Sequence, residues 1–154
     1  MELVPYGEFS RLRLRQFCPR RTKIESLGSD GEYMGRSWSG EGIRGVDFLW
    51  QKKGDRQLAC ILLTLQPTFC PSDVEEAILA AIRLRLRRGM TSVEVRRLLG
   101  KPATRAFGSD WETVKFRYGC EWPYLVMADF GSDTGLRSLN VARLDALPED
   151  VFRA

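Results

Sequence analysis

One local pattern occurs twice between residues 72 and 100, and it leaves the backbone little choice. Ser72-Asp73-Val74-Glu75 sets a hydroxyl three residues ahead of a carboxylate. In that pattern the hydroxyl caps the free N–H groups of a helix start and the acid reaches back to cap the Ser. Thr91-Ser92-Val93-Glu94 repeats it. The first predicted helix runs from Ser72 to about Arg88, with Gly89 as its left-handed stop. Val74, Ala77, Ile78, Ala81, Ile82 and Leu86 cover more than half of its circumference, so it is expected to be well buried. The second carries Val93, Val95, Leu98 and Leu99 and stops at Gly100, before Pro102, which cannot continue a helix. Only Gly89-Met90 then separates the two, which predicts a tight helix–turn–helix corner.

After Pro102 the period changes from helical to two. Val114, Phe116 and Tyr118 alternate with Thr113, Lys115 and Arg117. Leu125 to Phe130 is a largely apolar strand, and Gly131-Ser132-Asp133-Thr134-Gly135 turns it into a last strand at Leu136–Ala142. Before Pro71 the chain reads as β-rich. Leu12 and Leu14 alternate with arginines, and Val46, Phe48 and Trp50 share a face. Lys52-Lys53-Gly54-Asp55 turns the chain into 57–66, apolar on both faces, so 45–66 is a predicted hairpin. The expected class is α+β: a β-rich N-terminal half, then a helix–turn–helix hairpin packed on a three-stranded antiparallel sheet. The divisions fall at 1–70, 71–144 and a C-terminal tail 145–154, in one compact unit.

The run Arg88-Gly89-Met90-Thr91-Ser92-Val93-Glu94-Val95-Arg96-Arg97-Leu98-Leu99-Gly100-Lys101-Pro102 resembles a known hairpin. It is the one shared by the small outer-membrane assembly lipoproteins and the β-lactamase-inhibitor-like fold. Trp111 to Gly119 is similar to the first strand of that family, and the likeness covers about residues 73–142. Its residues are caps, stops and core positions, so it speaks to fold more than to function. Modules of this kind occur in envelope assembly factors, secreted enzyme inhibitors and bacterial immunity-type proteins. What the resemblance implies is a protein that binds another protein.

Composition narrows the chemistry. The 154 residues are 44% hydrophobic and include four Trp, eight Phe and four Tyr, enough for a packed core. There is no His, so Ser–His and Cys–His nucleophiles are excluded. The adjacent acids Glu75/Glu76 and Glu149/Asp150 are poorly placed for paired acid–base work, and no phosphate-cradling P-loop is present. Cys18, Cys60, Cys70 and Cys120 are scattered, without a C-x-x-C pair, so no structural metal and no cofactor are expected. No catalytic residue is assigned. The first residues lack the basic-then-apolar layout of a signal peptide and carry no anchoring Cys, from which a cytoplasmic protein without membrane association is expected.

Charge is uneven. Residues 83–105 hold eight basic side chains and one acid, Glu94. Such a stretch is a phosphate-binding footprint if its cations share a face. On a helix Arg85 points about 200° away from Arg83, so no single stripe forms and nucleic acid is a secondary expectation. Aromatics and Arg dominate protein–protein hot spots. Trp38, Trp111, Trp122 and Tyr124, which sit in or beside predicted loops, and Arg117 on the first strand are therefore the candidate partner-binding residues. The expected function is inhibition without catalysis, by an immunity protein that occludes the active site of a cognate bacterial toxin. The alternatives are a nucleic-acid-associated regulator using Arg-rich helices, or an envelope assembly module lacking its signal sequence.

Overall fold

A computed structural model describes residues 2–18, 23–29, 34–40, 43–51, 57–65 and 72–153; at 24–29, 34–40, 43–44, 51 and 72 it describes the backbone alone. The dominant feature is one antiparallel sheet. Its strands are β1 (Ile24–Ser29), β2 (Met34–Gly40), β3 (Ile43–Gln51), β4 (Leu58–Thr64), β5 (Thr104–Phe107), β6 (Trp111–Tyr118), β7 (Tyr124–Gly131) and β8 (Gly135–Arg143). The order across the sheet is β1-β2-β3-β4-β8-β7-β6-β5. Two four-stranded meanders thus join through their last strands, with Cys60 opposite Ala142 and Leu63 opposite Leu139. Each is preceded by helix: α1 (Tyr6–Ser10) ahead of β1, and α2 (Ser72–Ile82) and α3 (Ser92–Leu99) ahead of β5.

This corrects the expected α+β arrangement. The fold is mostly β, and the strands of both halves form one eight-stranded sheet rather than a separate three-stranded one. Nor do the helices form a hairpin. The first stops at Ile82, and nine residues of irregular chain, 83–91, separate it from the second. The stop is made without glycine. Arg83 takes a left-handed φ of 63°, Arg83 N–H donates to Ala80 C=O at 3.1 Å and Leu84 N–H to Leu79 C=O at 2.9 Å. This is a Schellman closure, and Leu84 and Leu79 are both buried beside it. Leu12 and Leu14 also depart from the strand expected there: Leu14 begins a short 3-10 turn, Leu14–Gln16.

The Ser72 side chain, expected to cap α2 with Glu75, lies outside the described residues. Ser72 already lies inside the helix, and the Glu75 carboxylate pairs with Arg88. The cap on α3 forms as the sequence suggests: Glu94 N–H donates to Thr91 Oγ1 at 3.2 Å and Thr91 N–H to Glu94 Oε2 at 2.8 Å. Gly89, the expected helix stop, has another task. Its N–H donates to Leu136 C=O at 3.0 Å while Leu136 N–H donates to Met90 C=O at 2.8 Å, which ties the connector to the start of β8.

One face of the sheet buries Val46, Phe48, Ile61, Leu63, Val114, Phe116, Val126, Phe130, Leu139 and Val141 beneath Phe9 of α1, Ile78 and Ile82 of α2, and Val95 and Leu99 of α3. The other face gathers Leu49, Ala59, Cys60, Leu125 and Ala142, and the C-terminal segment covers them with Leu144, Leu147, Val151 and Phe152. Lys115 Nζ donates to Val151 C=O at 3.0 Å and holds that segment down. Residues 145–153 are therefore packed against the sheet rather than loose.

Candidate functional site

The sheet ends in β5, and its connection to β6 is short. Gly108 N–H donates to Trp111 C=O at 2.9 Å, which closes a two-residue turn at Ser109-Asp110. The turn explains Gly108: a Cβ there would lie 2.3 Å from Trp111 Nε1, so the indole rests on the space glycine leaves open. Phe107 is 69% exposed and Trp111 42%. Two large apolar side chains thus stand in water at one tip of the molecule. Arg105 lies 5.6 Å from the centre of the Phe107 ring and donates to Glu112 Oε1 at 2.9 Å. The same oxygen accepts from Ser92 Oγ at 2.7 Å, which locks the hairpin to the start of α3. Burial pushes the Glu112 carboxyl up, but the Ser92 hydroxyl, Arg105 and Arg96 outweigh it and hold it below its ordinary value.

Between this hairpin, residues 89–92 and the 130–135 turn lies an open groove of about 520 Å³. That volume falls within the range of ligand and side-chain pockets. Its floor is fixed by the Gly89–Gly135 crossing, where a Cβ on Gly135 would sit 2.4 Å from the Gly89 carbonyl oxygen. The free edge of β5 adds backbone capacity. The Gly108–Trp111 bond sets the alternation, so Thr104 and Ala106 face β6 while Arg105 and Phe107 turn their N–H and C=O groups outward. An exposed edge of this sort is a template for another strand.

The five residues expected at the interface do not converge. Trp111 is part of this tip. Trp122 is 38% exposed but belongs to the turn at the other end of β6, seven residue steps or roughly 24 Å away. It packs against Tyr6, ring centres 5.4 Å apart. Tyr124 has no exposed surface; its hydroxyl donates to Val4 C=O at 2.6 Å, and burial drives its ionisation far up. It anchors the N-terminal segment and is not a contact residue. Arg117 is exposed on β6. Trp38, expected beside a loop, lies instead within β2 opposite Phe48; its side chain is outside the described residues. The sequence reading misses Phe107, because a four-residue strand between Pro102 and the Gly108 turn gives little periodic signal.

Among the described residues no three side chains of metal-binding type come together. Cys60 is buried and its thiol is pushed up to about 12, Cys18 is half-buried, and Cys120 is exposed in the β6–β7 turn. Position 70 lies outside the described residues. On the face opposite the helices, Asp129 accepts from the hydroxyls of Thr113 and Ser138, its neighbours across β6 and β8. That row aligns three strands and leaves neither hydroxyl beside a free base. No helix is long and apolar enough to cross a membrane among the described residues. No family model matches the chain, and neither a curated protein nor a solved structure does.

Proposed function

We propose that this chain is a protein-binding module without catalytic activity, acting as an immunity-type inhibitor that covers the active site of a cognate bacterial toxin. The observation that carries the reading is the β5–β6 tip: Phe107 and Trp111 are both exposed on one hairpin, on opposite faces of it, beside an edge strand whose outer backbone groups point away from the sheet. Large aromatics left this exposed contribute little to folding and much more when a partner desolvates them. The groove beneath supplies Ser92, Arg105 and Glu112 as a rigid polar rim. Two sequence features support the inhibitory form: the missing histidines, and the resemblance of residues 88–102 to inhibitor-like modules.

Co-expression with the product of the adjacent gene tests the proposal. A stable one-to-one complex and rescue of growth are expected, both lost when Phe107 and Trp111 are changed together to Ser. Rescue that persists in that double variant would place the interface elsewhere. Absence of any complex would remove the inhibitory reading.

A further inference from the structure

The sequence predicts helix from Arg83 to Arg88, which would scatter the arginines around an axis. The structure undoes that premise. Once α2 stops at Ile82, burial alternates residue by residue: Leu84 and Leu86 are buried, while Arg83, Arg85 and Arg87 are exposed. Three cations therefore stand outward at every second residue; Arg83 itself is left-handed, and a two-residue step in extended chain such as Arg85 to Arg87 is about 6–7 Å. That repeat is close to the separation of consecutive phosphates along a nucleic acid strand.

We propose that Arg83, Arg85 and Arg87 form a binding surface for the phosphate backbone of a nucleic acid, separate from the aromatic tip. Among the described residues no carboxylate lies within ion-pair distance of Arg85 or Arg87. Arg83 meets Glu8 at 3.7 Å with both side chains more than half exposed, a contact that phosphate displaces at little cost. Glu75 is engaged by Arg88, while Glu94, held in the Thr91 cap, is near enough to Arg87 to moderate that end of the row. Glu2 and Glu76 line the shallow grooves beside the row and moderate its field.

The row is also rigid. Leu84 and Leu86 are held in the core, and the Glu75–Arg88 pair fixes the end of the segment, so little ordering is required on binding. The residues lining both grooves include no aromatic, hence no surface for stacking bases. Recognition is by phosphate alone and independent of sequence.

Fluorescence anisotropy of the full chain with labelled oligo-dT, and with a labelled duplex of equal length, tests this across about 50–200 mM salt. Binding to one or both probes is expected, and the two arms show whether single strand or duplex fits. Changing Arg85 and Arg87 together to Gln should weaken binding about tenfold or more and lower the salt slope by about two. Glu76→Gln should tighten it, and the Phe107/Trp111 double Ser variant should bind as before, which separates this proposal from the protein-binding one. Both arginines are exposed, so an unchanged melting temperature confirms that the variant folds. No binding at low salt, an unchanged slope in the arginine variant, or a preference for polyglutamate over both oligonucleotides would each overturn the proposal.

Discussion

The Glu75 carboxylate, in the first turn of α2, accepts from Arg88 Nε at 3.0 Å and from a second nitrogen of the same guanidinium, thirteen residues further along the chain. The Glu75 side chain is 4% exposed and that of Arg88 26%, so the pair closes the arginine segment against the helix in a largely dry setting. Arg88 is partly exposed, so losing this charge-assisted contact is expected to cost about 1.5–3 kcal/mol. Glu75→Gln discriminates between roles. A capping residue tolerates Gln, whereas an ion-pair partner does not, so a large drop in the urea midpoint is expected; a silent substitution would return Glu75 to capping.

Gly100 and Gly135 both hold positive φ, 87° and 66°, but their surroundings differ. Around Gly100 nothing lies within 4 Å of an added Cβ, while at Gly135 it would meet the Gly89 oxygen at 2.4 Å. Gly100, at φ 87° and ψ −155°, lies in a backbone region nearly confined to glycine, so Gly100→Ala is expected to cost about 1–3 kcal/mol of backbone strain but no clash. Gly135→Ala must also push the crossing backbones away from each other, and about 3 kcal/mol or more is expected. Chemical denaturation of both variants side by side measures the difference.

Arg83 occupies a left-handed position that glycine normally fills. The strain is roughly 1–2 kcal/mol for an L-residue, and a glycine's added freedom in the unfolded chain offsets about half of it. Arg83→Gly is therefore expected to raise the melting temperature slightly, despite losing the exposed contact with Glu8. Arg83→Val, stiff at this φ, should lower it. A marked fall on Arg83→Gly would contradict the Schellman closure.

Glu112 sets a pH dependence. Its folded-state carboxyl is held below the ordinary value of 4.5, the hydrogen bonds and cations outweighing burial. The unfolded chain then binds its proton more readily, so the contribution is fully present above the ordinary value and fades as pH falls through the folded one. Comparing wild type with Glu112→Gln, the stability gap should be widest at neutral pH and close in acid. A gap independent of pH would show that the Ser92–Glu112–Arg105 cluster does not act through charge.

Much of the local structure is written in short-range pattern. Thr91 and Glu94 cap α3 because their partners lie three residues apart, and alternation from Thr113 to Tyr118 is enough to make β6. At Glu75, in the identical-looking pattern, the fold adds a partner that the pattern does not announce. Arg88 comes within reach of Glu75 only after Leu84 and Leu86 have turned back into the core, where a charge-assisted bond to the carboxylate is strong. The candidate site is half legible: Trp111 stands out as an aromatic beside a turn, whereas Phe107 becomes notable only once β5 is known to be an edge.

By itself the sequence determined the α3 cap, the two-residue periodicity of the later strands, and the absence of histidine chemistry, since each depends on neighbours a few residues away or on composition alone. Tertiary structure decided the rest. It placed β4 beside β8, so that two meanders became one sheet, and it stopped α2 at Arg83. Burial of Leu84 and Leu86 then turned a helix-like run of arginines into a one-sided row. These outcomes depend on which distant apolar surfaces meet, and the free energy of that burial overrides the weak local preference for helix.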